Sequence, residues 1–409
     1  MSMLRARRIS WRAWVATLVA TCVLGPPAVA GVLPDDRADV LYHRYEGGGI
    51  TIQGPSVLVR KKIGDSVSVS ANYYEDLISS ASLDVQLSAS KYKETRKQKS
   101  FSVDYLHGKT TYSAGVINSR EPDYEANTTF YSVSQDMFGD LTTLTMSYKR
   151  GWDRVYADVK EDGHIVNQPD FGGTGADGNP IAFRIAEHRG YGLSLSQILT
   201  RNMLLSLNYE VLTDQGYLAS PYRKIRYQSA GGVGFTLADQ IYPGTRTSSA
   251  ASAQIKYYLP YRAAVTAQYR FFSDSWGIQA HTGEIGYTHP AWRNWIFDGS
   301  FRYYRQTSAD FYSDLYTRAN EFNFMARDRE LAQFQSYSFG VGASYDFKVP
   351  RAPWIAKSSA NIRFDHITIN YDNFRNALLT DPGNGVVAGT EPLYTLNANV
   401  VQVFVSIWF

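Results

Sequence analysis

The residues of this sequence that are best suited to chemistry are scattered histidines and one loop rich in glycine and aspartate. No pair of these histidines has the helical spacing of a zinc site. No motif places a serine nucleophile beside a histidine base. We therefore predict no catalytic residue, and a barrel enzyme at the outer rim is only a third hypothesis. The histidines considered are His107, His164, His188, His281, His289 and His366.

The loop at 162–178 carries Asp162, Asp170 and Asp177, whose carboxylates could bind calcium. The loop lacks the spaced Asp/Asn, glycine and glutamate of a calcium-binding loop. Its glycine run at 172–175 does not open a helix after a strand, so a phosphate-binding loop is a poor interpretation. A solvated outer loop explains it better, and we predict no metal and no cofactor.

The first 30 residues are typical of a secretory signal peptide. An arginine-rich start precedes a short apolar run at 13–24 and an Ala-Val-Ala cleavage site at 28–30. We expect a signal peptide at 1–30 and an exported domain at 31–409. The single cysteine, Cys22, lies in the signal, so the exported chain has no disulfide framework. Basic residues number 41 and acidic residues 38, and four of the basic ones are arginines of the signal, so no nucleic-acid partner is indicated.

Many segments alternate between apolar and polar residues, as strands do. For example, Val67, Val69 and Ala71 alternate with Ser68 and Ser70. The exported chain contains no run of about 18 apolar residues, which excludes helical membrane spans. A closed barrel is the other structure that satisfies every backbone group within lipid. Alternation alone would also fit a soluble sandwich.

The last strand separates these two interpretations. Its alternate residues are apolar and it ends on an aromatic side chain, which resembles the C-terminal strand of bacterial outer-membrane β-barrels. That resemblance implies an assembly signal read by the barrel-assembly machinery. The signal would consist of Val401, Val403, Val405, Ile407 and Phe409. Together with the signal peptide, it favours the outer membrane of a Gram-negative bacterium over a soluble domain.

Short and long polar links mostly alternate along the chain, as periplasmic turns and external loops do in outer-membrane barrels. We predict an all-β protein, a single transmembrane up-and-down antiparallel β-barrel of about 16 strands, with 14 or 18 as alternatives. Short strands at 153–160 and 222–230 are assigned to outer loops. The predicted barrel strands are 37–46, 50–61, 65–75, 99–106, 110–118, 126–136, 140–150, 185–197, 202–212, 248–259, 262–272, 277–288, 294–305, 336–347, 354–369 and 397–409.

Several longer blocks resemble a family of exported Gram-negative proteins that is catalogued as domain of unknown function 3570. The blocks lie at 33–42, 54–61, 67–74, 256–264, 269–278, 309–315 and 326–331. The resemblance covers almost the whole exported chain. It implies a barrel, and it supplies no activity because the family is functionally uncharacterised.

Charged residues on the polar side of the strands should face the lumen, because a wide barrel interior provides the water that they need. These are Asp104, Glu210, Lys256, Arg270, Asp298, Arg302 and Asp346. Both signs are present, so we predict no strong ion selectivity.

The link at 306–335 combines many aromatic residues with many charges. We expect it to fold inward and to leave its charges pointing into the channel. The partly helical spacing of Phe311, Leu315, Phe322 and Met325 indicates a short helix within it. An external lid is the alternative. The charges of this expected constriction are Asp310, Asp314, Arg318, Glu321, Arg327, Asp328 and Arg329.

The leading functional hypothesis is a channel or transporter for a small polar solute, surrounded by outer-membrane lipid. The second is a structural barrel that holds a periplasmic partner.

Overall fold

The computed structural model describes residues 31–80, 93–156, 159–161, 164–167, 181, 183–220 and 223–409. The expected signal peptide and the Asp162, Asp170 and Asp177 loop residues lie outside this part of the chain. No helix within it is long and apolar enough to cross a membrane.

Twenty strands form in the described residues, and sixteen of them close into one antiparallel barrel. Numbered along the chain, the strands are β1 Arg37–Gly47, β2 Ile50–Ile63, β3 Val67–Ser80, β4 Lys93–His107, β5 Thr110–Glu121, β6 Tyr124–Met137, β7 Thr142–Tyr156, β8 Val159–Glu161, β9 His164–Asn167, β10 Phe183–Thr200, β11 Met203–Gly216, β12 Lys224–Gln228, β13 Phe235–Asp239, β14 Thr245–Tyr258, β15 Ala264–Asp274, β16 Gln279–Ala291, β17 Trp295–Gln306, β18 Phe334–Phe347, β19 Lys357–Arg375 and β20 Leu393–Trp408. Strands β8 and β9 pair with each other, as do β12 and β13, and the other strands form the wall.

The predicted barrel is confirmed, including its sixteen strands. Each neighbour in the wall pairs antiparallel with the next, and β1 pairs with β20 to close the sheet. The predicted short strand at 222–230 corresponds to β12. The one predicted at 153–160 is instead divided between the end of β7 and the start of β8.

The two ends of the barrel differ in the length of their links. At one end, here called the short-turn end, the links are 64–66, 108–109, 138–141, 201–202, 259–263, 292–294 and 348–356. The opposite, long-loop end carries the links at 217–244, 307–333 and 376–392. It also has tight turns, such as Gly48 and Gly49 between β1 and β2. Both of these adopt positive φ, at 60° and 83°, as a two-residue hairpin turn of this kind requires.

Alternate residues of each strand point to opposite faces of the wall. Tyr269 and Phe339 point outward, with 51% and 59% of their surfaces exposed. Gly340 points inward, because a Cβ at this position would lie 2.2 Å from the Arg363 guanidinium. The structure also places Val405 on the exposed face and half-buries Phe404 on the opposite one. The wall is therefore apolar on the lipid side and polar on the inner side.

The buried apolar clusters lie at the long-loop end, where the loops pack on the inner wall. One cluster joins loop residue Ala332 to Phe334, Tyr371, Phe374 and Leu396 of the strands and strand ends. A second joins Trp276 and Ile278 to loop residues. A third contains Ile225 of β12 with Tyr316 and Met325. These clusters fix the long loops against the wall.

Candidate functional site in the lumen and loop cap

An arginine on the inner wall links two strands across a third at mid-height. Arg363 of β19 donates through Nη1 to Asp298 of β17 at 2.8 Å and through Nη2 to Ser300 at 2.8 Å. It also donates through Nε and Nη2 to Asp365 at 2.9 and 2.7 Å. The contact passes over β18 at Gly342, where a Cβ would lie 2.3 Å from the Asp298 carboxylate. Contacts that skip a strand converge only on the concave side of a barrel, so this face is the lumen.

Two other inward arginines have no carboxylate partner. Among the described residues, no carboxylate lies within ion-pair distance of Arg270 on β15 or Arg302 on β17. The Arg270 guanidinium lies 5.7 Å from the Phe272 ring, and that of Arg302 lies 5.7 Å from the Tyr304 ring. Arg302 is exposed to the lumen and Arg270 is half-buried. Both can therefore donate to water or to a solute.

The remaining predicted lumen residues have local partners. Glu210 accepts from Lys149 at 2.8 Å, and Asp346 lies 3.0 Å from the Lys357 ammonium group. Asp104 accepts from the Ser113 hydroxyl at 2.6 Å. The Nζ atom of Lys256 lies 5.5 Å from the centre of the Tyr258 ring. Glu210 and Asp346 are thus paired with lysines, whereas Arg270 and Arg302 add basic groups without an ion-pair partner to the same face.

Histidines of the wall hold strands together in this arrangement. The Nδ1 atom of His188 lies 2.7 Å from Asp214, and its Nε2 atom lies 3.2 Å from Asp153. Because both ring nitrogens face carboxylates, the ring has no free nitrogen to act as a base. His281 contacts the hydroxyl of Tyr269 at 2.6 Å, and His366 contacts Asn399 at 2.8 Å. Within the described residues, no group of three His, Cys, Asp or Glu could hold a metal ion.

The sequence interpretation missed a buried polar group around His43 on β1. Its Nε2 atom lies 2.8 Å from the carboxylate of Asp76, which is fully buried, and 3.0 Å from the Tyr74 hydroxyl. Arg96 lies 3.8 Å from the same carboxylate. His43 lies in a predicted strand, but Asp76 and Arg96 lie outside the predicted strands 65–75 and 99–106, so the sequence could not show that the three side chains meet.

The long loops at 217–244, 307–333 and 376–392 form one assembly, here called the loop cap. Its central contact joins three separate segments through Arg226 of β12, which is fully buried. Arg226 donates to both carboxylate oxygens of Glu391, at 2.5 and 3.1 Å. It also donates to the carbonyl oxygen of Asp314 at 2.8 Å and to the Asp314 carboxylate. Residues from all three loops are therefore fixed by one guanidinium.

A second arginine extends this contact to the end of β19. Arg327 donates through Nε to the Asp314 carboxylate at 3.0 Å and through Nη2 to the carbonyl oxygen of Arg375 at 2.9 Å. Its guanidinium lies 4.5 Å from the centre of the Phe374 ring. The half-buried Asp314 is thus shared by two buried arginines, and its carboxylate supplies the negative charge that a buried guanidinium requires.

Glu391 is the buried acid of this group. Burial by itself raises the pKa of its carboxyl, but the hydrogen bonds from Arg226 and Thr380 outweigh that effect and lower the pKa to about 2. The amide of Gly389 also donates to it at 2.9 Å. The side chain therefore remains ionised over the ordinary pH range.

A neighbouring acidic pair holds the base of the cap. Arg223 donates to Glu330 at 2.9 Å and lies 3.1 Å from Asp328. Asp328 also accepts from Gln240 at 2.6 Å and from the Tyr242 hydroxyl. Burial and the nearby Asp328 carboxylate raise the pKa of Tyr242 well above its usual value.

The charges expected to point from 306–335 into the channel are distributed differently. Asp314, Arg327, Asp328 and Arg329 are held in contacts within the cap, the last three being buried. The expectation that these four would face an open channel is wrong, because Arg226 and Arg223 of another loop pair with Asp314 and Asp328, while Arg327 and Arg329 lie beside Asp314 and Glu330 of the same link. The other three lie nearer the surface: Arg318 is exposed, Glu321 accepts from the amide of Thr317, and Asp310 is exposed beside Gly277.

The helix expected in this link is also wrong. Residues 307–333 contain one 3₁₀ turn, Arg329–Leu331, and isolated bridges that join Tyr312 to Ala326 and Tyr227 to Tyr316. Phe311, Leu315, Phe322 and Met325 have a partly helical spacing, but in the structure they pack on different neighbours. Phe311 contacts the rings of Tyr242 and Trp276, at 5.4 and 5.2 Å between centres.

The expected assembly signal forms the end of β20. Val401, Val403 and Val405 are exposed on the outer face, and Ile407 is half-buried. The ring of Phe409 lies 6.2 Å from that of Trp354 and 5.0 Å from the Lys61 ammonium group. Recognition by the assembly machinery stays a prediction.

A family model described as protein of unknown function (DUF3570) matches residues 86–378, which is more than half of the chain. No curated protein matches the chain.

Solved structures with similar architecture share little sequence with this chain. A bacterial polysaccharide outer membrane secretin is 6% identical, with a TM-score of 0.46 over 92% of this chain and 100% of the other. OmpT, an outer membrane protein of Vibrio cholerae, is 8% identical, with a TM-score of 0.43 over 93% and 100%. A Pseudomonas aeruginosa FadL homologue is 10% identical, with a TM-score of 0.40 over 92% and 91%. Similarities of this size concern the fold alone.

Proposed function

This chain belongs to the DUF3570 family of proteins of unknown function, and we propose that it is a channel for a small polar solute across the outer membrane. The observation that carries the proposal is the pair of inward arginines without a carboxylate partner, Arg270 and Arg302. An unpaired guanidinium is costly unless water or a ligand can reach it. Their presence on the lumen side of a sixteen-stranded wall therefore supports a hydrated interior.

The size of the barrel supports the same proposal. A wall of about 16 strands leaves space for an aqueous channel, whereas about 8 strands leave little more than a packed core. The inner wall also presents hydrogen-bonding groups at mid-height, including Arg363, Ser300 and Asp298. Such a lining favours solutes that exchange hydrogen bonds with it over apolar ones.

The loop cap supports a limit on solute size. It is joined by buried ion pairs and not by a few surface contacts, so it should act as a fixed constriction at the long-loop end. The fully buried contact between Arg226 and Glu391 links loops that leave the wall at different strands. We expect small solutes to pass beside the cap while larger ones are excluded.

Flux through proteoliposomes tests this function. The purified barrel would be reconstituted and swelling measured in isotonic solutions of uncharged polar solutes of increasing size. We expect swelling with the small solutes and a steep decline as size increases. Correctly assembled protein that gives no more swelling than protein-free liposomes would contradict the channel and would leave a structural barrel with a periplasmic partner as the better account.

A further inference from the structure

The outward face of four strands carries exposed basic side chains towards the long-loop end. Outward and inward residues alternate, so these side chains lie on the lipid side of the wall. Arg150 and Arg189 keep 50% and 46% of their side-chain surface exposed. The set, here called the basic border, consists of Lys97, Lys99, Arg120, Arg150, Arg154 and Arg189.

Two pairs within the basic border place like charges directly opposite each other. Lys97 of β4 pairs in register with Arg120 of β5, and Arg150 of β7 pairs with Arg189 of β10. Like charges directly opposite in a sheet destabilise it. Arg150 and Arg189 share Glu187, at 3.8 and 3.3 Å. In the described part of the chain, no carboxylate lies within ion-pair distance of Lys97 or Arg120.

The nearest acidic neighbours of the first pair have other partners. Glu75 of β3 lies opposite Lys97, and Glu125 of β6 lies opposite Arg120. Glu75 accepts a hydrogen bond from the Tyr73 hydroxyl, and Glu125 accepts one from Tyr156 at 3.1 Å. The chain itself therefore supplies no anion between the facing side chains of Lys97 and Arg120.

The basic border lies immediately beyond the apolar belt of the wall. On the same outward face, Phe101 is two residues from Lys99 towards the short-turn end, and Tyr148 and Tyr191 are two residues from Arg150 and Arg189. The rings of these two tyrosines lie 5.3 Å apart. Aromatic residues of this kind mark the level at which lipid chains give way to headgroups.

Among the described strands, outward pairs of directly facing cations occur on this side of the barrel alone. Outward cations elsewhere stand singly: Arg44 on β1 lies opposite Gln53 and Val401, and Arg305 on β17 lies opposite His281 and Gln335. A general attraction of the barrel to any membrane surface would not require the facing cations to lie on one side. A single lipid bound at one place on the wall would require it.

We propose that the basic border binds the phosphate groups of an anionic glycolipid in the outer leaflet. A phosphate placed between Lys97 and Arg120 would neutralise two facing cations, and a second could approach Arg150 and Arg189. Guanidinium groups bind phosphate through paired hydrogen bonds, and lysine adds a compact positive charge. The acyl chains of the same lipid would lie against Phe101, Tyr148 and Tyr191.

Native mass spectrometry on the complete barrel in neutral detergent tests the ligand without any mutation. The probes are a bis-phosphorylated lipid A, the same lipid without its phosphates, and inorganic phosphate. We expect a one-to-one complex with the phosphorylated lipid and at least about tenfold weaker binding of the dephosphorylated form. Equal binding of the two lipids would overturn the proposal. Competition by inorganic phosphate at concentrations similar to those of the lipid would overturn the choice of a lipid headgroup.

A double substitution tests the location. Lys97→Gln with Arg120→Gln should lower the affinity for the phosphorylated lipid by about tenfold or more while the barrel stays assembled. The matched control, Arg44→Gln with Arg305→Gln, removes two outward cations from β1 and β17 and should leave the affinity unchanged. Equal losses in both variants would mean that the barrel attracts anionic lipid without a defined site, which would overturn the proposal.

Discussion

Replacing Arg226 with methionine should open the loop cap without unfolding the barrel. The side chain is fully buried and joins Glu391 to Asp314 across two other loops. Methionine fills a similar volume and leaves both carboxylates without this guanidinium. Glu391 would retain only its contacts with Thr380 and the Gly389 amide.

The expected cost follows from the loss of one partner from a buried ion pair. Such a loss destabilises the surrounding structure by about 3–5 kcal/mol, because the remaining charge has neither partner nor water. A change of about 3 kcal/mol in the free energy of cap opening corresponds to roughly a 150-fold increase in the open population. The wall should not change, since Arg226 lies in β12, outside the barrel sheet.

Hydrogen exchange of the reconstituted protein measures this directly. Amides at 224–239, 311–327 and 377–391 should exchange about 100-fold faster in Arg226→Met than in the unmodified protein. The control is Arg318→Met, which removes an exposed arginine from the same long loop and should have no effect. Adding Glu391→Gln to Arg226→Met should restore part of the protection, because no unpaired charge is then left at Glu391.

Unchanged exchange in Arg226→Met would refute the view that this ion pair holds the cap. Faster exchange of the wall strands as well would show that the cap and barrel unfold together.

Three further outcomes are expected. The folded-state pKa of Glu391 is about 2 and its ordinary value is 4.5. Its contribution of about 3 kcal/mol to the stability of the closed cap should therefore be complete above pH 4.5 and decline as the pH falls towards 2. Protection of the cap amides, relative to their intrinsic exchange rate at each pH, that stays constant in this range would exclude this contribution. Phe339→Arg on the lipid face should cost about 2–4 kcal/mol in barrel stability, measured by denaturant unfolding in lipid vesicles, whereas little effect would mean that Phe339 lies outside the membrane core. Deletion of Phe409 should lower the amount of heat-modifiable barrel in outer membranes while export continues, and normal levels would show that this residue is dispensable for assembly.

The wall could be predicted from sequence because the side chains of a strand point alternately to lipid and to the lumen. Each strand therefore repeats the same alternation of apolar and polar residues. Alternation, together with the order of short and long links, predicted the sixteen barrel strands and the faces of residues such as Tyr269 and Arg270. Strand ends were less exact, since several strands continue past the apolar belt into polar segments. For example, β19 extends to Arg375, whereas its alternating apolar pattern predicts an end at 369.

The loop cap could not be predicted in the same way. Arg226 and Glu391 are 165 residues apart, and the short strand predicted around Arg226 carries no information about a partner so distant in sequence. The charge content of 306–335 showed that the link is unusual, but its partners come from two other loops. Sequence spacing also suggested a helix there, which packing against Tyr242 and Trp276 replaces with irregular structure.

Ion permeation in planar bilayers tests the central proposal most directly. The unmodified protein should open discrete conductance steps, and Arg302→Glu should shift the zero-current potential in a salt gradient towards cation preference. The control, Arg305→Glu, changes an outward residue three positions further along the same strand and should leave that potential unchanged. An assembled barrel without conductance, or equal potentials for Arg302→Glu and the unmodified protein, would contradict a conducting lumen lined by Arg302.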